Sequence, residues 1–266
     1  MTTIPLTNAP ISQLPLSDYA KHRAAFMAKM PTNSIALFPA ASELTRSNDT
    51  EYAFCQNKNF YYLTGFNEPD ALLVLLKGKE GKAESILFSL PKDALHEIWQ
   101  GRRIGQVKAV EDYGVSESFE VADIDNLLPD YLDGKSQVFF GFNDHTFAAQ
   151  VFTWLKQVKS SIRQGAKVPE QLVDADPMVA ELRLIKTDNE LTLMRHANHI
   201  SGLAHQRAME QSQVGKFEYQ IEAEILHEFA QYGARSPAYA SIVAGGDNAN
   251  ILHYTANNDV LKDNEL

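Results

Sequence analysis

Phe60-Tyr-Tyr-Leu-Thr-Gly-Phe-Asn-Glu-Pro-Asp-Ala-Leu-Leu-Val-Leu-Leu76 joins an aromatic run, a turn-rich stretch from Gly65 to Asp70 and an unbroken apolar run. The apolar run, bounded by turn residues, has the form of a strand covered on both faces, and the aromatic run before it reads as a second strand. Outward from this stretch, residues 34–39, 84–89 and 137–141 repeat the short apolar pattern. Helical spacing fills the intervals at 18–30, 101–113 and 146–160, the first stopped by Pro31. Strands alternating with helices predict an α/β sandwich with a largely buried sheet.

Residues 160–177, containing Ser-Ser-Ile-Arg-Gln-Gly-Ala-Lys-Val-Pro169, read as a connector, which divides the chain into segments 1–174 and 175–266. Beyond it, Thr187-Asp-Asn-Glu190 has capping-box spacing, in which two side chains satisfy free N–H groups at a helix start. Leu193, Ala197, Ile200, Ala204 and Ala208 then form one apolar stripe, predicting a helix to about Gln211. Phe217, Ile221, Ile225 and Phe229 mark a second helix, closed by Gly233. Residues 239–244, a turn at Gly245-Gly-Asp-Asn248, and residues 250–255 predict a hairpin that places His253 on the same sheet face as Ile251 and Thr255.

Composition narrows the function classes. The 266 residues carry 24 basic and 34 acidic side chains, a formal charge of −10, and no dense Lys/Arg stripe, which argues against a nucleic-acid partner. No stretch approaches the roughly 18 apolar residues of a membrane span, and Met1 to Pro10 lack the basic start and apolar core of a secretory signal. Cys55, the single cysteine, cannot close an intrachain disulfide and fits a reducing, cytoplasmic setting. Its apolar neighbours suggest an inert core thiol.

Several catalytic signatures fail. His96-Glu97 and His227-Glu228 each begin an H-E pair, but Gln100 and Gln231 stand where a zinc peptidase helix needs its second histidine. Phosphate-cradling glycine loops and the serine nucleophile elbow are absent. His196, His199 and His205 lie on one helix, where only the first two share a face; metal ligation would need carboxylate or thiolate partners from elsewhere, and they read as solvated or packed. Trp99 followed by Arg102 and Arg103 reads as a surface ion-pair cluster when taken alone.

Taken in order, Leu44-Thr-Arg-Ser47, Thr64-Gly-Phe-Asn-Glu-Pro69, Glu97-Ile-Trp99, Gly101-Arg-Arg103, Glu181-Leu-Arg-Leu184, Phe217-Glu-Tyr219, His227-Glu-Phe229, Gly233-Ala-Arg235 and Ile251-Leu-His-Tyr-Thr255 resemble the bacterial Xaa-Pro aminopeptidases, also called proline-specific aminopeptidase P. The resemblance runs almost the whole length. It implies a creatinase-like N-terminal α/β domain over 1–174, followed over 175–266 by the first two helices and hairpin of a pita-bread α+β metallopeptidase domain. It also implies release of an N-terminal residue that precedes proline, by two divalent ions, usually manganese, held by aspartates, a histidine and glutamates.

In the family, those ligands come after the stretch matching Asp259 to Leu266. The resemblance therefore implies an N-terminal fragment that lacks the metal ligands and is inactive alone, and Asp259 and Asp263 are not promoted to ligands. Matched by position, His253 resembles the active-site histidine, Tyr239 a tyrosine lining the substrate pocket and Arg183 an arginine at the site's mouth. Trp99 resembles a tryptophan lent by a neighbouring subunit, which implies a homo-oligomer, dimer or tetramer. Two alternatives stay open: a prolidase acting on Xaa-Pro dipeptides, and a non-catalytic binding or oligomerisation module.

Overall fold

A computed structural model of the chain describes residues 13–265; Met1 to Pro10 lie outside them. Contacts divide the chain into a unit spanning Pro15–Ile185 and a second containing Lys186–Leu266.

The first unit is built from α1 (Leu16–Lys29), β1 (Ser34–Pro39), the ribbon strands β2 (Thr45–Ser47) and β3 (Thr50–Glu51), α2 (Lys58–Thr64), β4 (Leu72–Lys77) and β5 (Ala83–Ser89). It continues through α3 (Ala94–Gln100), α4 (Gly105–Tyr113), β6 (Glu117–Glu120), α5 (Ile124–Leu132), β7 (Gln137–Phe140), α6 (His145–Ser160), β8 (Gln171–Asp174) and α7 (Asp176–Leu182). Six strands form one sheet in the order β6-β5-β4-β1-β7-β8. β4 runs antiparallel to both neighbours, whereas β1, β7 and β8 are parallel, as are β5 and β6.

Alternate residues of the strands feed two different cores, the period-2 consequence of a pleated sheet. Ala36, Phe38, Leu73, Leu75, Leu87 and Phe139 pack with side chains of α1, α2, α4 and α7. Ile35, Leu37, Leu72, Val74, Ile86, Phe88, Val138 and Phe140 pack with α5 and α6, including Trp154. The α/β sandwich with a buried sheet is thus as the sequence predicts. Polar side chains also join its layers: Trp154 Nε1 donates to Asp125 at 2.8 Å, joining α6 to α5. Arg23, buried on α1, donates to the carbonyls of Leu63, Tyr113 and Gly114 at 2.7–2.9 Å. Burial lowers its pKa to about 10.

Three expectations for the first unit are corrected. Phe60–Thr64 is not a strand but the body of α2: Asn57 accepts from Asn59 N and Phe60 N, capping a helix start, and Phe60, Leu63 and Thr64 bury one helical face. Gly65 ends it at φ +66°, where a Cβ would also strike the Tyr19 ring. The stretch read as a connector contains β8, and Ala175 and Val179 beyond it are fully buried in the first core. Cys55 is exposed rather than core, 3.1 Å from Lys58 Nζ.

The second unit consists of α8 (Asp188–Gln211), α9 (Glu218–Gln231) and the segment after them. α8 starts at the expected capping box: Thr187 Oγ1 accepts from Glu190 N at 3.3 Å, and Glu190 Oε2 accepts from Thr187 N at 2.7 Å. Arg207 on α8 meets Glu224 on α9 at 2.7 Å. The predicted hairpin is not formed. Residues 239–245 carry no strand, Gly246–Asn250 is a short 3₁₀ turn, and His253 lies in the turn that follows.

Candidate functional site

The segment from Ser236 to Glu265 has almost no regular structure, so its backbone groups need partners other than a ladder. They find them on α9. Glu218, in the first turn of that helix and fully buried, accepts from Gly245 N at 2.8 Å and Asn248 Nδ2 at 3.3 Å on one oxygen. Its other oxygen accepts from Tyr254 OH at 2.7 Å and Asp259 N at 3.0 Å. Burial alone would push this carboxyl up; the four donors outweigh it and hold it below the usual carboxylate range. Burial and the carboxylate together push the Tyr254 hydroxyl up, so it stays a donor at neutral pH.

A second tether stands one turn further along α9. Asn257, buried at φ +47°, donates to Glu222 Oε2 at 2.9 Å and to Ser241 O at 3.1 Å, and accepts from Val243 N at 3.0 Å. Main-chain bonds from Gly215 N to Leu261 O and Leu261 N to Lys216 O close the base, beside a bridge between Phe217 and Val260. Tyr239 and His253 both ride on this tethered segment, and both side chains are exposed. Sequence reasoning missed Glu218 and Asn257. The available signal was the quoted Phe217-Glu-Tyr219 itself, a glutamate where an amphipathic helix turns inward.

Arg183 and Trp99 belong to the first unit. Arg183 follows α7; its guanidinium donates to Asn59 Oδ1 at 2.9 Å and lies 5.7 Å from the centre of the Tyr62 ring. Asn59 in turn donates to Asp176 at 2.9 Å, and Tyr62 stacks on His22 at 4.0 Å. Trp99 stands on α3 with 87% of its surface exposed. A groove of about 610 Å³ opens at the base of that helix, lined by Glu68, Asp70, His96, Arg102 and Arg103 among others. In place of the ion pairs expected at the arginines, Arg103 N donates to Glu97 and its guanidinium to Pro91 O, while Glu97 lies 3.8 Å from Lys92 Nζ.

Two divalent ions need several converging carboxylate or imidazole ligands. Among the described residues, no group of three or more His, Cys, Asp or Glu side chains could hold a metal ion, so these residues do not fit the ion pair implied for the family.

Comparison with known proteins gives a consistent assignment. Residues 19–139 match the aminopeptidase P N-terminal domain, and residues 192–266 match metallopeptidase family M24. The chain is 39% identical to the Xaa-Pro aminopeptidase of Escherichia coli, covering 96% of this chain and 58% of that protein. It is also 39% identical to the Haemophilus influenzae enzyme, covering 97% and 57% respectively. The structure superposes with a TM-score of 0.93 on Escherichia coli aminopeptidase P bearing the inhibitor Pro-Leu, at 39% identity over 96% of this chain and 58% of that one. A proline aminopeptidase P II from Yersinia pestis matches at TM-score 0.91 and 42% identity, over 94% of this chain and 58% of that one. The chain thus spans somewhat over half the length of the relatives it matches. Residues 19–139 thus belong with the aminopeptidase P N-terminal domain and residues 192–266 with metallopeptidase family M24, in one chain and in that order.

Proposed function

We propose that this chain forms the substrate-gripping part of an Xaa-Pro aminopeptidase, which releases the first residue of a peptide whose second residue is proline. The observation that carries the reading is the likeness to bacterial Xaa-Pro aminopeptidases through both units of the chain. The bond concerned is a tertiary amide without an N–H, next to a proline of fixed φ, so backbone gripping must be replaced by side chains that recognise shape and the free terminus. We assign His253 as the catalytic residue that contacts substrate at the reacting bond. Tyr239 supplies an aromatic wall and Arg183 a cation at the mouth. Trp99 serves the site of a second copy, which makes the working form a homo-oligomer.

Metal ions, manganese by family habit, supply the activated water in this class. Since the described residues do not fit them, the role of this chain is to bind and orient peptide. The functional division we assign is an N-terminal α/β domain that α7 (Asp176–Leu182) closes, followed by a catalytic segment. The compartment we assign is the cytoplasm, supported by the single cysteine; no helix among the described residues is long and apolar enough to cross a membrane.

The test joins the C-terminal remainder of the Escherichia coli relative after Leu266 and compares that chimera with the 266 residues alone. Each is given Mn²⁺ and a peptide with proline or alanine in second position. The chimera is expected to release the first residue from the proline peptide only, and the 266 residues alone to release none. Chelator-sensitive turnover by the 266 residues overturns the assigned division of labour. Equal cleavage of both peptides overturns the specificity, and cleavage confined to dipeptides selects the prolidase reading.

A further inference from the structure

Between β5 and α4 the first unit sends out an excursion that carries α3. None of the residues of α3 is buried, and Leu95, Ile98 and Trp99 face solvent. A helix of this length cannot hold itself together, and without a packed face nothing apolar fixes its direction. Polar contacts at its base do so. Asp93 accepts from Leu95 N and His96 N at 2.8 and 3.1 Å. Glu97 Oε1 accepts from Arg103 N at 3.3 Å, with Lys92 Nζ 3.8 Å away. Arg103 donates to Pro91 O at 3.0 Å, pinching the two ends of the excursion together. The pinched base is then tied to the body of the unit by Glu68, in the turn before β4, whose Oε1 accepts from Ile104 N at 2.6 Å.

We propose that Glu68 is a positioning residue that, by anchoring Ile104, fixes the direction in which α3 presents Trp99. Its importance for peptide turnover rests on the reading of Trp99 given above; the anchoring stands on the contacts themselves. Glu68 Oε2 is buried without a hydrogen-bond partner among the described residues, and burial pushes the carboxyl up against the opposing pull of the Ile104 N–H and the Arg103 charge. A raised pKa means that the folded protein favours the protonated form, so the charge itself opposes folding at neutral pH. The anchor therefore works through its acceptor oxygen, and a neutral acceptor of the same shape should serve.

The chain has two tryptophans, Trp99 and Trp154, the second only 2% exposed, so fluorotryptophan labelling gives one reporter on α3 and one in the core. In Glu68→Ala the Trp99 resonance is expected to move towards its unfolded position and the α3 amides to exchange roughly tenfold faster, the weight of one ordinary hydrogen bond. The Trp154 resonance should stay in place. Glu68→Gln keeps a carbonyl oxygen and should restore Trp99. Ile104→Pro deletes the donor at φ −68°, which proline tolerates, and should reproduce Glu68→Ala. A Trp99 resonance unmoved in both Glu68→Ala and Ile104→Pro overturns the proposal. So does a joint shift of Trp154, which would make Glu68 a support of the whole unit. The reading of Trp99 is tested separately by the effect of Trp99→Ala on KM in the chimera; its failure leaves the resonance result unchanged.

Discussion

The two units are held by different physics. In the first, strand after strand is covered on both faces by apolar side chains, and the buried guanidinium of Arg23 is paired with three carbonyls. Among the described residues of the second, Ile200, Ala204 and Ile221 are the buried apolar ones, while Met194, Met209, Ile251 and Leu252 are exposed. The segment that carries Tyr239 and His253 is fastened there by one carboxylate and one amide, Glu218 and Asn257. Apolar burial is spread over many contacts and depends little on pH, whereas a buried polar tether is concentrated in a few atoms and costly to leave half-made. Candidate site geometry in the second unit should therefore respond to single-atom changes that the first unit would ignore.

Substitutions that break each kind of support should sharpen this contrast. Phe88→Ala, in the core under α5 and α6, is expected to cost about 3–5 kcal/mol, read as a lowered urea midpoint at unchanged slope. Acid should act on the other unit first. Because Glu218 is held below its ordinary pKa, its stabilisation is complete above about pH 4.3 and is lost as pH falls through the depressed folded value. Amide resonances of residues 243–259 are then expected to collapse as pH falls through that depressed value while those of β1 and β4 persist; simultaneous loss would erase the contrast. Asn257→Ala removes three hydrogen bonds at a left-handed residue, and about 1–2 kcal/mol of local stability should go with it, measured by amide exchange at Val243. The smallest effect is assigned to Arg207→Ala, about 0.2–1 kcal/mol in a melting experiment, since its ion pair with Glu224 is partly solvated.

Much of the first unit was legible because apolar periodicity and punctuation agree there. β1 falls on the expected 34–39, β7 on 137–140, and α6 begins one residue before the expected start. The Thr187 capping box was legible for the same reason: its donors and acceptors are local in sequence. Phe60–Thr64 was misread because aromatic residues favour strands by composition, whereas the cap at Asn57 and the burial of Phe60 and Leu63 select a helix. β8 was hidden within polar residues because an edge strand buries little. The hairpin failed for a deeper reason. The partners of Gly245 and Asp259 are side-chain atoms of Glu218, 27 and 41 positions away, and no local pattern announces bonds of that kind. The same holds for the candidate site: residue types could be matched to a family, but the tether that places His253 is non-local.

The most direct test is segment-resolved amide hydrogen exchange on Glu218→Gln, which replaces one acceptor oxygen by a donor. Loss of two of the four bonds into a buried site should weaken the tether by about 1–3 kcal/mol, so exchange across residues 243–259 should quicken by roughly five- to a hundredfold, with α8, α9 and the six-stranded sheet unchanged. Protection of residues 243–259 equal to that of the parent chain would contradict a carboxylate tether as the support of the His253 segment.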